Sequence, residues 1–440
     1  MKVLLIDHDA VGLAFAIRCV KAGHQVRWFI KDKPSNNLMT GDGFKGIEKV
    51  KTWLPSMKWA DLVWMSSNDD YLPRLEFFKK QGVNIFGPSP ASARLEIERG
   101  AGMAFFEKHG IEVPEYKTFS TLKAAEQHVR KTEERYVFKT LGSNEDKSLS
   151  YCSKSPADMI ARLQRWQAIN MNPNGPVMLQ KFIPGIELGV SRWMGTEGFI
   201  GLYNENFEHK KLLSGNCGPN CGESGTVQKY VEDSTLGEMV LAPLEEALIK
   251  LGHLGDIDVN CIIDEKGKPW PLEFTMRCGW PAFNIQLATH RGDPVEWMRD
   301  ACEGEDTMDC NTAIACGVVI AQPDYPYSNL TKKETNDIPV YGVTDKNRRF
   351  IAPQGIKQAK MPDMDGDKMV EREIWTTCSD YLAVVTGTGK SITQACERAY
   401  AVVKDLHVPD MIYRDDIGEK LGEEVQKLKE HGFATEFDYW

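Results

Sequence analysis

Glu273 stands between Leu272 and Phe274 in the segment PLEFTMRCGWP, with Arg277, Gly279 and Trp280 close behind it. A carboxylate carried on an apolar strand is costly to bury unless something positive meets it. The segment before it, IDVNCIIDEKGKPWPLEF, reads as two strands joined by a turn at 264–268. Such a hairpin brings Asp258, near the start of one strand, beside Glu273, near the end of the other. Two carboxylates so placed repel, and one takes up a proton unless a cation lies between them. Magnesium is such a cation, because it prefers one or two carboxylates completed by phosphate oxygens and water. The alternative is a plain ion pair between Glu273 and Arg277, with Asp258 in solvent. The hairpin by itself leaves both readings open.

Lysines extend the pattern. Lys139 ends the short apolar run YVFKT, and Lys147 follows beyond the polar stretch LGSNED. Point charges on both sides of a polar loop suit the phosphates of a nucleoside triphosphate, held where water can be excluded. Isolated lysines are commonplace, so this signal is weak alone. In LQKFIPGIE, a strand ends in a Pro-Gly turn with Glu187 just past it. A carboxylate there is placed for two ribose hydroxyls, and the backbone of 181–183 for the edge of an adenine.

The elements that position these residues divide the chain. A length of 440 residues suggests two to four domains or subdomains. KVLLID, then the helical pattern AVGLAFAIRCVKAG, then HQVRWFI form a βαβ start, which predicts a doubly wound parallel sheet over 1–88. Its first turn, HDAVG, lacks G-x-G-x-x-G, which argues against a dinucleotide dehydrogenase. A linker helix is expected over 89–113. From Pro114 the pattern is α+β: a small lobe over 114–187, with the single helix PADMIARLQRWQAI among its strands, then an antiparallel block over 188–312. A final domain, 313–440, ends in the helix SITQACERAYAVVKDL.

Composition bounds the rest. The chain is 42% hydrophobic and 26% charged, as for a globular protein. A net charge of −10 argues against nucleic-acid binding. No apolar run reaches the length of a membrane span, and the N-terminus does not read as a signal peptide. A cytoplasmic location is expected, with the 11 cysteines reduced. None of them has the paired spacing of a four-ligand zinc site.

In this order the parts resemble the ATP-grasp superfamily, and within it the phosphoribosylamine–glycine ligases. NIFGPSPASARLE is similar to the family's FGP turn and following helix, and KHGIEVPEY to its HGIPT segment. FEHKKLLSGNCGPNCGESG resembles DHKR…GPNTGGMG, the most specific piece. WPLEFTMRCGWP resembles EFNxRFGDPE, CGVVIAQPDYPYS a GYP segment, and VVTGTGKSITQACERAYAVVKDL…YRDDIGEKL the family's C-terminal domain. The resemblance implies an ATP-grasp fold with ATP and Mg²⁺ as cofactors. It implies that Lys139 and Lys147 flank the phosphates, with Lys147 and Arg277 at the reacting end. Arg99 stands at an early lysine of the family. Gln180, Lys181, Phe182 and Ile183 correspond to the adenine hinge, and Glu187 to the ribose carboxylate. Lys210 and Asn220 join the nucleotide residues. Glu273, Asp258 and Thr275 are the implied metal ligands.

Departures gather on the acceptor side. Where the family binds phosphoribosylamine through GxGGREH, this chain has Asp7, His8 and Asp9 and no arginine. GDPE becomes Gly279, Trp280, Pro281 and Ala282, so both acids are gone. Gly218 and Pro219 keep part of the substrate loop, but GGMG becomes GESG, which adds Glu223. Losses that track one sub-pocket point to a changed amine acceptor, less anionic, aromatic or planar. The expected activity is ADP-forming amide synthesis through an acyl phosphate, on a small amino acid and an amine, by a monomer or homodimer. A true phosphoribosylamine–glycine ligase and a non-catalytic nucleotide-binding scaffold are the alternatives.

Overall fold

The computed structural model describes residues 1–68, 70–141, 150–171, 175–327 and 333–440. Lys147, and most of the polar stretch before it, lie outside these. The first strand, Lys2–Asp7, is buried along nearly its whole length, as befits a strand covered on both faces. It is central to a five-stranded parallel sheet, flanked by Gln25–Ile30 and Leu62–Met65, with Ile47–Lys49 and Ile85–Phe86 at the edges. The helix after it begins at Leu13, later than its pattern suggests. Asp7 explains the delay: its carboxylate accepts from the Gly12 amide at 2.6 Å. A Cβ on residue 12 would lie 2.8 Å from that oxygen, so the turn needs glycine.

The expected linker helix is two helices, Pro90–Ile97 and Arg99–Lys108. Ser89 and Ser92 form a reciprocal capping box at the start of the first. Glu98, with φ −102° and ψ 85°, breaks the run, so Arg99 opens the second helix.

The small lobe is a four-stranded antiparallel sheet: Tyr116–Phe119, Val177–Lys181, Tyr136–Thr140 and Tyr151–Cys152. Two helices cover it, not one. Besides Pro156–Ala168 there is Leu122–Thr132, N-capped by Thr121 and burying Leu122, Ala125 and Val129. These pack with Phe138, Met159, Leu163 and Trp166 in a core of the lobe's own.

Strand Ile186–Met194 enters an eight-stranded sheet, antiparallel in every pairing. From one edge it runs Pro269–Thr275, Gly255–Ile263, Ile186–Met194, Phe199–Glu208, Gly225–Val231, Ile314–Ala321, Tyr381–Gly389 and Ile351–Pro353. Its last three strands come from beyond residue 312, so one sheet crosses the expected boundary between the two C-terminal parts.

The faces of this sheet differ. On one, Tyr203, Phe207, Val227 and Val231 are buried together with Leu236 and Val240. Glu205 shares that face and accepts from Ser234 Oγ at 2.7 Å; burial pushes its carboxyl up to about 7. A carboxyl raised in the folded state stabilises the fold at low pH and loses that contribution as pH rises through its folded pKa. Glu205→Gln is therefore expected to raise stability at pH 8 by on the order of 2–3 kcal/mol, seen as a higher Tm, and to change it little at pH 5. Thermal melts at the two pH values check this; equal effects at both would contradict it.

Candidate active site

Glu273 sits where the catalytic sheet meets the Arg99–Lys108 helix. Arg99 Nη2 is 3.3 Å from one carboxylate oxygen and Lys210 Nζ is 3.9 Å from the other. Arg277 is not its partner. Arg277 pairs instead with Glu96, Nη2 to Oε1 at 3.1 Å, and donates through Nη1 to its neighbour Cys278 O. Glu96 is fixed in turn, its other oxygen accepting from the Met276 amide and from Asn68. The guanidinium is thereby held at the wall of the cleft, and Glu273 pairs with Arg99 in place of Arg277.

The hairpin forms, but with a different register from the one expected. Asn260 lies opposite Glu273, and Asp258 lies opposite Thr275. A β-bulge between Asn260 and Cys261 sets this offset. All four side chains share one face, but Asp258 lies below the cleft wall, accepting from Asn206 Nδ2 at 2.7 Å. Asn260 takes the place expected for it: its Nδ2 donates to Glu208 at 3.2 Å and its Oδ1 has no partner among the described residues.

Lys210 is the hub of the charges. It lies 2.5 Å from Glu187, 3.4 Å from Glu208 and 3.9 Å from Glu273. Although burial opposes its charge, the three acids hold its pKa well above that of a free lysine. Lys139, at the end of its strand, is buried and donates to Leu272 O at 3.2 Å. Desolvation pushes its pKa down to about 8, with Glu273 pulling the other way.

Arg99, Lys139, Glu208, Lys210, Asn260, Glu273 and Arg277 line a cleft of about 460 Å³ that also takes in Ser150, Asn220, Glu223, Thr275, Gly279, Trp280 and Tyr325, while Glu187 lies outside its lining. Tyr325 comes from the C-terminal part and donates to Cys221 O at 3.0 Å, closing one side. Trp280 is anchored to the N-terminal domain: its indole donates to Ser66 O at 3.3 Å and meets Trp64 edge-on.

No group of three or more His, Cys, Asp or Glu side chains among the described residues is placed to hold a metal ion. Magnesium needs fewer protein ligands, because it keeps water and phosphate oxygens. Glu273, Glu208 and the unpartnered Asn260 Oδ1 supply hard oxygen donors that fit it.

Other expected residues stand elsewhere. Asp7 does not face the cleft: it is fully buried, accepting from Gly12, Trp28 Nε1 and Ser66 Oγ, and it fastens the turn. Asp9 is not an unpaired acid. Burial pushes its carboxyl up, but His8 and Lys33 outweigh that and hold it low. His8 receives Lys31 at 2.9 Å. Gly218 and Pro219 lie on the short Cys217–Asn220 strand, and only its end, Asn220, lines the cleft. At the hinge, the amides of Lys181 and Phe182 already donate to Glu115 O and Arg135 O, and the Arg135 guanidinium lies 3.4 Å over the Phe182 ring. Gln180 is buried, its amide 3.7 Å from Met103 Sδ. Sequence reasoning missed Glu96, Asn260, Glu208 and Tyr325. The i, i+2, i+4 run of Asp256, Asp258 and Asn260 was the one signal for Asn260.

Residues 315–420 match the C domain of phosphoribosylglycinamide synthetase. The chain is 26% identical to the phosphoribosylamine–glycine ligase of Escherichia coli O6:H1 over 369 residues, 80% of this chain and 81% of the relative. It is 23% identical to that of Streptococcus suis, over 96% of this chain and 99% of the relative. Among solved structures, the phosphoribosylamine–glycine ligase of Thermotoga maritima superposes with a TM-score of 0.71 at 20% identity, covering 95% of this chain and 100% of that one. An N5-carboxyaminoimidazole ribonucleotide synthetase in complex with ADP gives 0.59 at 14% identity, over 91% and 96% of the two chains. The fold is that of the ATP-grasp proteins, and the chain resembles the phosphoribosylamine–glycine ligases along most of its length.

Proposed function

We propose that this chain, an ATP-dependent ligase by its resemblance and its fold, joins a small amino acid to an amine other than phosphoribosylamine. The observation that carries the ligase reading is one cleft holding Arg99, Lys139, Lys210, Glu273 and Arg277 together on an ATP-grasp fold. A carboxylate is a poor electrophile in water. In this reading its oxygen attacks the γ-phosphorus of ATP, the bond to the β-phosphate oxygen breaks, and ADP leaves. An amine then attacks the acyl carbon, the C–O bond to phosphate breaks, and the nitrogen sheds a proton.

Bound magnesium would supply charge neutralisation on the phosphate oxygens, held by Glu273 with Glu208 and Asn260. The chain's own residues do the rest. Lys139 and Arg99 set positive charge against phosphate oxygens. Arg277, held by Glu96, presents a planar fork that suits a transferring phosphoryl group. Lys210, now on three carboxylates, is drawn toward whichever anion enters. Trp280 and Tyr325 wall the cleft and exclude water from the reactive acyl group.

The changed acceptor is supported by Glu223 and Trp280 on the cleft wall. The first turn no longer argues as strongly against a phosphate, since Lys31 and Lys33 accompany its acids. The second reading, phosphoribosylamine–glycine ligase itself, is favoured by the names of the relatives and by how much of each chain they share. ADP release across a panel of amino acids and amines, phosphoribosylamine with glycine included, separates the two. Release is expected to need both a carboxylate and an amine, and to be weak with phosphoribosylamine. Ordinary enzymatic efficiency on phosphoribosylamine, together with rescue of a purine auxotroph lacking that step, would restore the second reading.

A further inference from the structure

Polar side chains continue beneath the cleft, on the same face of the catalytic sheet. Asn204, Asn206, Thr226 and Gln228 share this face with Asp258: Ser191 pairs with both Asn204 and Asp258, and Asn206 pairs with Gln228. Asn204 and Gln228 are each 1% exposed and Thr226 is fully buried. Groups so deep are ordinarily hydrogen-bonded. Here, among the described residues, both polar atoms of Asn204 lack a partner, as do Thr226 Oγ1, Gln228 Oε1, Asn206 Oδ1, Asp258 Oδ1 and Glu223 Oε1. All but one of these atoms are oxygens.

A glycine lets these side chains pack closely over the sheet. Gly189 lies between Asn206 and Asn260, and a Cβ there would come within 2.3 Å of Asn206 Oδ1. Two of the group are acids, Glu223 and Asp258, and neither makes an ion pair among the described residues. Of this group, Glu223 also lines the cleft, so it stands where the polar floor meets the site.

Acceptors in excess, two of them acidic, recognise a cation with several N–H groups. A primary ammonium offers three donors and one charge. We infer that this floor is a subsite for the ammonium group of a linear aliphatic diamine, the amine substrate of the ligase. The choice of a diamine follows from chemistry: a nitrogen held as ammonium has no lone pair, so a second nitrogen must make the attack. That nitrogen forms the C–N bond, phosphate leaves with the C–O electrons, and one N–H proton passes to solvent. The site itself rests on the unpartnered oxygens; its assignment to the amine substrate rests on the ligase reading above.

The test uses the full chain and calorimetry with butane-1,4-diamine, butylamine and glycine, alongside Mg·ATP binding and ADP release. The diamine is expected to bind without nucleotide, and Asp258→Asn or Glu223→Gln to weaken it by about a hundredfold, the usual scale for removing one of a buried charge pair. Asn204→Ala and Thr226→Val, checked by circular dichroism, should weaken it by about tenfold each and cover the case in which an acid variant fails to fold. No diamine binding by the wild type, or equal binding by folded variants, overturns the subsite. Glycine binding that is lost in these variants, without diamine binding, also overturns it and assigns the floor to the amino acid. ADP release with other amines while the diamine is ignored defeats the subsite alone. Diamine binding without Mg·ATP binding or ADP release supports the subsite and defeats the ligase reading.

Discussion

Glu273→Gln is expected to lower ADP formation by about a thousandfold or more while leaving the fold intact, the scale of losing a metal's stabilisation of transition-state charge. Glutamine keeps the size and one acceptor oxygen of the side chain, so Arg99 retains a partner. What goes is the charge, and the consequences differ for the two roles Glu273 could have. A structural ion-pair partner, once neutralised, would leave Arg99 and the buried Lys139 facing one another and cost stability. A metal ligand would cost activity and raise the magnesium concentration needed for what remains. Binding of nucleotide without metal should not suffer, because the variant cleft is more positive. ADP release against magnesium concentration, with a thermal melt beside it, checks the result. Near-normal rates at ordinary magnesium, or an unfolded variant, would remove Glu273 from the metal site.

Arg277→Lys is the second large effect, a fall in kcat of about a hundredfold to a thousandfold with Mg·ATP affinity nearly unchanged. Lysine keeps the charge but not the fork. Arg277 already spends one arm on Glu96 at 3.1 Å and another on Cys278 O at 3.0 Å, and still lines the cleft. A lysine can hold Glu96 or reach into the cleft, but its single nitrogen does not do both. Glu96 acts through Arg277 and is a positioning residue, so Glu96→Gln should cost about tenfold, again in kcat and not in KM. If Arg277→Lys raised KM and left kcat alone, Arg277 would serve ground-state binding only.

The parallel N-terminal sheet was legible because its strands are continuous apolar runs punctuated by glycine turns. The small lobe was half legible: LKAAEQHVRKT has a low average hydrophobicity, and its few apolar residues fall on one face that only the lobe's own core reveals. For the site, charged residues in unusual settings stood out, and Glu273, Arg277, Lys139, Lys210, Glu187 and Arg99 do converge. The pairing across the hairpin did not, since a single bulge moves Asn260 opposite Glu273 and no composition signal marks a bulge. Glu96 was hidden for another reason. It lies on the first linker helix, and its tie to Arg277 spans 181 residues of sequence. The acids of the first turn misled because their partners, Trp28, Lys31, Lys33 and Ser66, come from other strands and loops.

The sheet that crosses residue 312 bears on how such a chain can change over time. Gly225–Val231 carries Thr226 and Gln228 at one edge of the polar floor, and it is laddered to Ile314–Ala321 from Gly225↔Val318 to Gln228↔Ala315. The C-terminal part therefore cannot be exchanged as a cassette: a graft at this boundary would have to reproduce four backbone pairings and the packing of Ile285 over Gly317. The small lobe, with a core of its own, carries no such obligation. New substrate preferences in this architecture should then arise by point replacement on the shared sheet, and inherited variation in length should collect in the lobe and the loops. The run of polar residues at alternate positions along Phe199–Glu208 and Gly225–Val231 is the mark such a history would leave.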